Sequence, residues 1–487
     1  MKISSVEEFI KEYDNDTPYG DLEFLDDSLY DELINYCMDN SSNSDYLNLI
    51  GLIYFQREDY DNAFIWFKKS ALAGNATGEY NTGLCYANGY GVKQDMEEAL
   101  DYYTLSAEHG NKNAQNNLGV LYDNGEIVEE NNEYAVELYR KSALAGDYLA
   151  MSNLGNMYYY GEGVDVDYNE AFIWFNKAVE GNDSNAMFQL GNMYFYGDGV
   201  DEDNFEAFKW YKKSAELNND RAIYKLGICY YNGYGTSVDY TLAYENFKMA
   251  LERDIFDAYN DIGLCYFNGY GVDSDYEMAL YYFKKGAELD SPIATYNVGN
   301  IYYFGYGVEI DYYEAFKWFK KASELNHDAA MNRLGLMYQD GIGVLEDASM
   351  AVKWFKAAID LENTDAMNNL GNCYYYGEGV EQNYAKAVEY YTLAAENDNI
   401  DAMVDLGNCY YFGNGVELDM NEAVKWYTKA AEKDDVGAQY ILGKIYAFGD
   451  DSFKENISKA IYWLEKASEN GKAEAKELLK ELVKTSN

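Results

Sequence analysis

The sequence predicts an all-α fold, a solenoid of about twelve 36-residue helix-pair repeats. Three observations carry that reading. Eleven glycines run from Gly83 to Gly443, each 36 residues after the last, and Gly51 precedes the series by 32 residues in a unit with a shorter loop. A fixed period of this length marks an array of stacked units rather than one globule. Apolar residues around each glycine recur at helical spacing. Proline occurs only at Pro18 and Pro292, as expected of a nearly all-helical chain.

Taken in order, residues 1–45 read as an acidic N-terminal cap with helical stretches around 6–13 and 27–37. The second stretch offers Leu29, Leu33 and Cys37 to the first full unit. Residues 46–470 form the repeats, and the unit at 147–181 shows the pattern. Its first helix carries Ala150, Leu154, Gly155 and Tyr158 on one apolar stripe. Gly155 costs about 1 kcal/mol relative to alanine inside a helix, so its recurrence implies that a neighbouring helix passes too close for a Cβ. Gly161 and Gly163 then end the helix, free to take positive φ. Asp167 starts the second helix as its N-cap, and Asp or Asn recurs there in ten loops, from Asp95 to Asp419. Glu98, Glu170, Glu206, Glu314 and Glu422 follow three residues later, the spacing of a capping box. Ala171, Trp174, Phe175 and Ala178 make the second apolar stripe. Gly146, Asn218, Asn326 and Asp434 begin turns into following units. Residues 471–487 read as a capping helix in which Leu478, Leu479 and Leu482 cover the last unit.

The string Ala366, Leu370, Gly371, Tyr374, Gly377, Gly379, Val380 returns as Ala402, Leu406, Gly407, Tyr410, Gly413, Gly415, Val416. With the Asp-Tyr-x2-Ala-x2-Trp-Phe/Tyr-x-Lys-Ala pattern after it, this resembles the Sel-1-like repeats, the longer relatives of tetratricopeptide repeats. The resemblance covers about residues 46–470 and implies a right-handed superhelix of antiparallel helix pairs acting as scaffold or adaptor. The loops lack the proline many family members place after the valine. The double glycine is broken at Gly125-Glu126-Ile127 and Gly449-Asp450-Asp451.

The net charge is −48, from 85 acidic and 37 basic residues. Such a balance disfavours nucleic-acid binding through phosphate neutralisation and docking on anionic lipid. It is compatible with a neutral to basic protein partner. The longest apolar runs are about five residues, and no signal-like apolar segment follows Met1. The expectation is a soluble, cytoplasmic, elongated monomer with no membrane association. Five of six cysteines (Cys85, Cys229, Cys265, Cys373 and Cys409) share one repeat position. Neighbouring helices lie about 9–10 Å apart, beyond the ~7 Å between Cα atoms that a disulfide tolerates, so reduced buried thiols are expected.

Catalytic signals are weak. The glycine-x-glycine pairs end helices, whereas a phosphate loop follows a strand and opens a helix. The acidic loop at 198–203 lacks calcium-loop spacing. His109 and His327 fall at turns with no second ligand at metal spacing. The sequence is therefore read as non-enzymatic, without metal or cofactor. A carbohydrate- or peptidoglycan-processing enzyme using groove carboxylates and an exported, host-interacting effector stand as alternatives.

The most informative side chains are amides. Asparagine follows the periodic glycine at Asn156, Asn192, Asn300, Asn372 and Asn408, and precedes it by two at Asn153, Asn297 and Asn369, among others. Residues three apart share a helix face, and Tyr160, Tyr196, Phe304, Tyr376 and Phe412 extend it. By resemblance to tetratricopeptide arrays, this face lines a concave groove. Asparagine can donate to and accept from a peptide bond, so the row could grip an extended peptide irrespective of its sequence. On this reading, replacing Asn372 and Asn408 weakens binding and spares the fold. The competing reading is that asparagine is common here and merely solvates the groove.

Overall fold

The computed structural model describes residues 6, 9–10, 22, 27–449 and 453–485. Among them the chain forms 26 α-helices and no strand. It divides into two compact units, Met1–Ile255 and Phe256–Asn487. In the first, helix Asp27–Asp39 precedes six helix pairs, from Ser44–Gln56 with Tyr60–Leu72 to Asp220–Asn232 with Tyr240–Leu251. In the second, six pairs run from Ala258–Asn268 with Tyr276–Glu288 to Val436–Phe448 with Ile457–Glu469, and helix Ala473–Thr485 follows. Within each unit a helix packs chiefly on its neighbours in sequence, the all-α solenoid arrangement.

Asp167 accepts from the backbone N–H groups of Asn169 and Glu170 at 3.0 and 3.1 Å, and Asp or Asn caps the second helix of every full-length loop in this way. The capping boxes do not close. The N–H of Asp167 already donates to the carbonyl of Tyr158 at 2.9 Å, so the third-position glutamate has no donor to reach back for. In three units it pairs with a lysine three residues on instead: Glu206–Lys209, Glu314–Lys317 and Glu422–Lys425. The turns between units take positive φ at Gly146, Asn218, Asn326 and Asp434 as expected.

The recurrent helical glycine is explained by a ring rather than by a backbone. A Cβ on Gly227 would sit 2.6 Å from Cδ1 and Cε1 of Phe247, on the second helix of the same pair. Phe or Tyr occupies that place from Phe67 to Tyr427, and each ring is almost fully buried. The glycine row therefore exists to let one large aromatic fill the space between the two helices.

Leu33 and Cys37 are fully buried against the first repeat, with Leu29 beside them. Leu482 is buried at the other end, with Leu478 and Leu479 partly covered. The helix expected at 6–13 lies outside the described residues except for Val6, Phe9 and Ile10, and so do Asp450 and Asp451. All six cysteines are free and buried, and burial pushes each thiol up to about 12. The five that share a repeat position act as small hydrophobes beneath the helical face. No helix among the described residues is long and apolar enough to cross a membrane.

Candidate functional site

Successive first helices within a unit present the same side-chain positions at each step. Two residues before the periodic glycine, Asn153 donates through Nδ2 to Oδ1 of Asn116 on the preceding first helix, at 3.0 Å. Asn297 does the same to Asn260 and Asn369 to Asn332, both at 2.9 Å. Asn81 and Asn48 make a fourth such pair. These amides strut one repeat to the next.

The asparagine after the glycine takes a different partner, the aromatic ring that covers the glycine. Where that ring is tyrosine, its hydroxyl donates to the asparagine Oδ1: Tyr211 to Asn192 at 2.9 Å, Tyr391 to Asn372 at 2.7 Å and Tyr427 to Asn408 at 2.8 Å. Where it is phenylalanine the acceptor is released. Asn156 then accepts from Gln189 Nε2 at 2.8 Å, while Asn300 Oδ1 is buried without a partner beside Phe319. Phe319→Tyr should supply the missing donor and raise stability by about 1 kcal/mol, read as a shift in the denaturation midpoint. An unchanged midpoint would mean that the hydroxyl does not reach Asn300.

The sequence reading is corrected in one respect here. Asn372 and Asn408 accept from buried tyrosyl hydroxyls, so replacing them should cost stability as well as affinity. Among the described residues no hydrogen bond uses the Asn372 Nδ2 group, whereas the Asn408 amide lies by the Asp405 carboxylate and favours its charged form.

Beyond the amides, Tyr160, Tyr196, Phe304, Tyr376 and Phe412 close their helices with 47 to 65 % of their surface exposed. Phe448 stands at the same register, equally exposed, and sequence reasoning passed over it. It also passed over Gln189, Lys225 and Arg333, which replace asparagine two residues before the glycine. Gln189 reaches the Tyr160 hydroxyl at 3.1 Å, Lys225 the Tyr196 hydroxyl at 3.1 Å, and the Arg333 guanidinium lies 6.0 Å from the Phe304 ring. Reading that one column across all repeats would have found them.

Two clefts open on this face. In the first unit a cleft of about 730 Å³ crosses the starts of four consecutive first helices, at Thr77, Asn113, Leu149 and Asn185. Tyr80, Asn81 and Tyr148 also line it, while Asp147 and Asp183 use side-chain oxygens to cap helices. In the second unit a cleft of about 380 Å³ lies between helices Ile400–Phe412 and Val436–Phe448, walled by Asn408, Phe412, Met420, Tyr427, Lys444 and Phe448.

Charge is sparse on the first helices. The first helices hold ten of the 85 acidic residues and five of the 37 basic ones, and the second helices balance to zero. The loops from first to second helix hold 27 carboxylates against three cations, half of the net −48. The two histidines serve structure. His327 Nδ1 accepts from the Ala330 N–H at 3.2 Å, its ring stacks on Tyr296, and burial lowers its pKa. His109 Nδ1 lies 2.8 Å from the buried Glu79 carboxylate.

Against known families, the Sel1 repeat matches twelve times in succession, at 42–75, 76–111, 112–147, 149–183, 184–219, 220–254, 256–291, 292–327, 328–363, 364–399, 400–435 and 436–472. Repeats of this tetratricopeptide-like type commonly serve as protein-interaction scaffolds. Among solved structures, c5321, a protective antigen of uropathogenic Escherichia coli displaying an SLR fold, is 31 % identical. The match covers 87 % of this chain and 90 % of that one, with a TM-score of 0.60. A Sel1 repeat protein from Oxalobacter formigenes is 28 % identical over 63 % of this chain and 90 % of that one, with a TM-score of 0.50. No curated protein matches. The chain belongs to the Sel1 repeat family.

Proposed function

We propose that this protein is an interaction scaffold that holds an extended segment of a neutral to basic partner protein on its first-helix face. The observation that carries the proposal is the cleft across Thr77, Asn113, Leu149 and Asn185, which makes consecutive first helices the walls of one concavity. A side-chain amide matches either half of a peptide bond, and exposed rings supply anchors of large area at low entropic cost. The near-neutral face spares a partner backbone the burial of unpaired charge. The acidic loops beside the face favour encounter with a basic segment, an attraction screened within about 8–10 Å at physiological ionic strength.

The experiment compares matched rings. Tyr376→Ala with Phe412→Ala should lower affinity for a captured partner at least tenfold, because each ring buried at an interface contributes about 1.5–3 kcal/mol. Tyr313→Ala, on helix Tyr312–Glu324 and 62 % exposed, should leave affinity unchanged. Equal effects from both faces would overturn the assignment of the groove.

A further inference from the structure

Asp405 breaks the pattern that organises the face. It stands two residues before Gly407, where Asn297 and Asn369 donate to an asparagine of the preceding repeat. A carboxylate cannot donate. The Oδ1 of the corresponding partner, Asn368, is left buried without a hydrogen bond, in a residue only 7 % exposed, while its amide favours the charged form of Asp405. Asp405 is half-buried, the Asn408 amide lies one turn along and favours its charged form, and Asp401 adds a like charge from one turn before. Among the described residues no cationic side chain forms an ion pair with it. An asparagine here would relieve all three faults, so the local chemistry favours the residue that is absent. Departures of this kind are expected where function, rather than folding, selects the residue.

Resting on the groove reading above, we propose that Asp405 seats one basic side chain, lysine or arginine, of the bound segment. An incoming cation supplies the counter-charge the site lacks, in a partly desolvated place where a charge-assisted hydrogen bond is stronger than at the open surface. The amides of Asn368 and Asn408 favour the charged carboxylate that such a cation would meet.

The pH response follows from the surroundings. Burial pushes the Asp405 carboxyl up to about 6, with Asp401 reinforcing and the two amides opposing. The neighbouring groups on packed elements are Cys409 on its own helix and Tyr391 and Tyr427 on second helices, while Lys444 on the next first helix lines the cleft beside Asn408. The tyrosines and the cysteine are held neutral by burial in this range. A folded-state value above the usual one means the native state holds the proton more tightly, so this group makes stability fall as pH rises through that window. Asp405→Asn should thus raise the unfolding midpoint at pH 7, while binding of a basic segment weakens as pH drops through about 6.

The test uses the full chain on an array of short synthetic peptides in which every lysine or arginine member has a twin carrying glutamine at that position. Wild type should retain the basic members over their twins by roughly tenfold to a hundredfold, the scale of a hydrogen bond to a charged group. Asp405→Asn should bind both twins equally while remaining as stable as wild type or more so, and Asp401→Asn, at an exposed site, should keep the preference. Peptide binding with no preference for the basic twin, or a preference unchanged in Asp405→Asn, would overturn the Asp405 assignment and leave the groove standing. Binding of no peptide by any variant would overturn the groove reading and this one with it.

Discussion

Gly235→Ala should lower stability by about 3 kcal/mol, whereas Gly110→Ala should cost about 1 kcal/mol. Both glycines have positive φ, +67° and +88°, so both substitutions force a side chain into the left-handed region, at about 1–2 kcal/mol. They differ in what surrounds them. A Cβ on Gly110 meets nothing within 4 Å. On Gly235 it would fall 2.6 Å from the carbonyl carbon of Asn204 and 2.8 Å from the Cα of Phe205, the first turn of the preceding repeat's second helix. Backbone cannot rotate away, so a close-packing strain of about 1–3 kcal/mol adds to the conformational one. The second loop glycine is thus a joint between repeats, which explains why the loop carries two glycines when one would end the helix. Urea denaturation followed by amide exchange of the adjoining repeats checks both numbers, and equal losses at the two sites would refute the joint.

Asn372→Ala alone should destabilise by about 1–2 kcal/mol, and Asn372→Ala with Tyr391→Phe by less than about 0.5 kcal/mol. Tyr391 is 2 % exposed and its hydroxyl donates to Asn372 Oδ1 at 2.7 Å. Losing the acceptor strands a buried donor, while losing both partners removes the debt, a contrast a double-mutant cycle isolates. Phenylalanine already fills the same place at Phe319 and Phe355, so the double variant uses a ring this fold accepts. Of these two variants only the double one tests the Asn372 amide cleanly, because it deletes the Asn372 Nδ2 group without stranding a buried hydroxyl in the core. It should weaken partner affinity by about twofold to tenfold, the worth of one half-exposed hydrogen bond. An affinity equal to wild type would reduce Asn372 to a structural residue.

Much of this was legible in the residues. The period of Gly83 to Gly443 defined the helix pairs, and Asp167 and its equivalents marked each second-helix start, because capping is a local matter of backbone donors and a nearby oxygen. What local reasoning misjudged involved partners outside the segment. The capping boxes stayed open because the Asp167 N–H is claimed by Tyr158, nine residues back on the previous helix. The helical glycine proved to face a ring twenty residues on, at Gly227 and Phe247, a covariation visible only when two helices are read together. The amide row was visible, but its internal hydrogen bonds were not, since Asn153–Asn116 and Tyr391–Asn372 join positions that only packing brings together. Asp405 looked like one more carboxylate among 85 until its amide neighbours were placed.

The claim that an extended segment lies along the first helices is tested most directly by photo-crosslinking. A photoreactive phenylalanine analogue would replace Tyr376, Phe412 or Phe448 in turn, three exposed rings on consecutive first helices of one unit. The crosslinked residues of the captured partner would then be mapped by mass spectrometry. The account predicts that all three positions label a single stretch of the partner, in an order that follows the order of the repeats, while the same analogue at Tyr313 labels nothing. Labels scattered over a folded surface, or a product only from Tyr313, would contradict it.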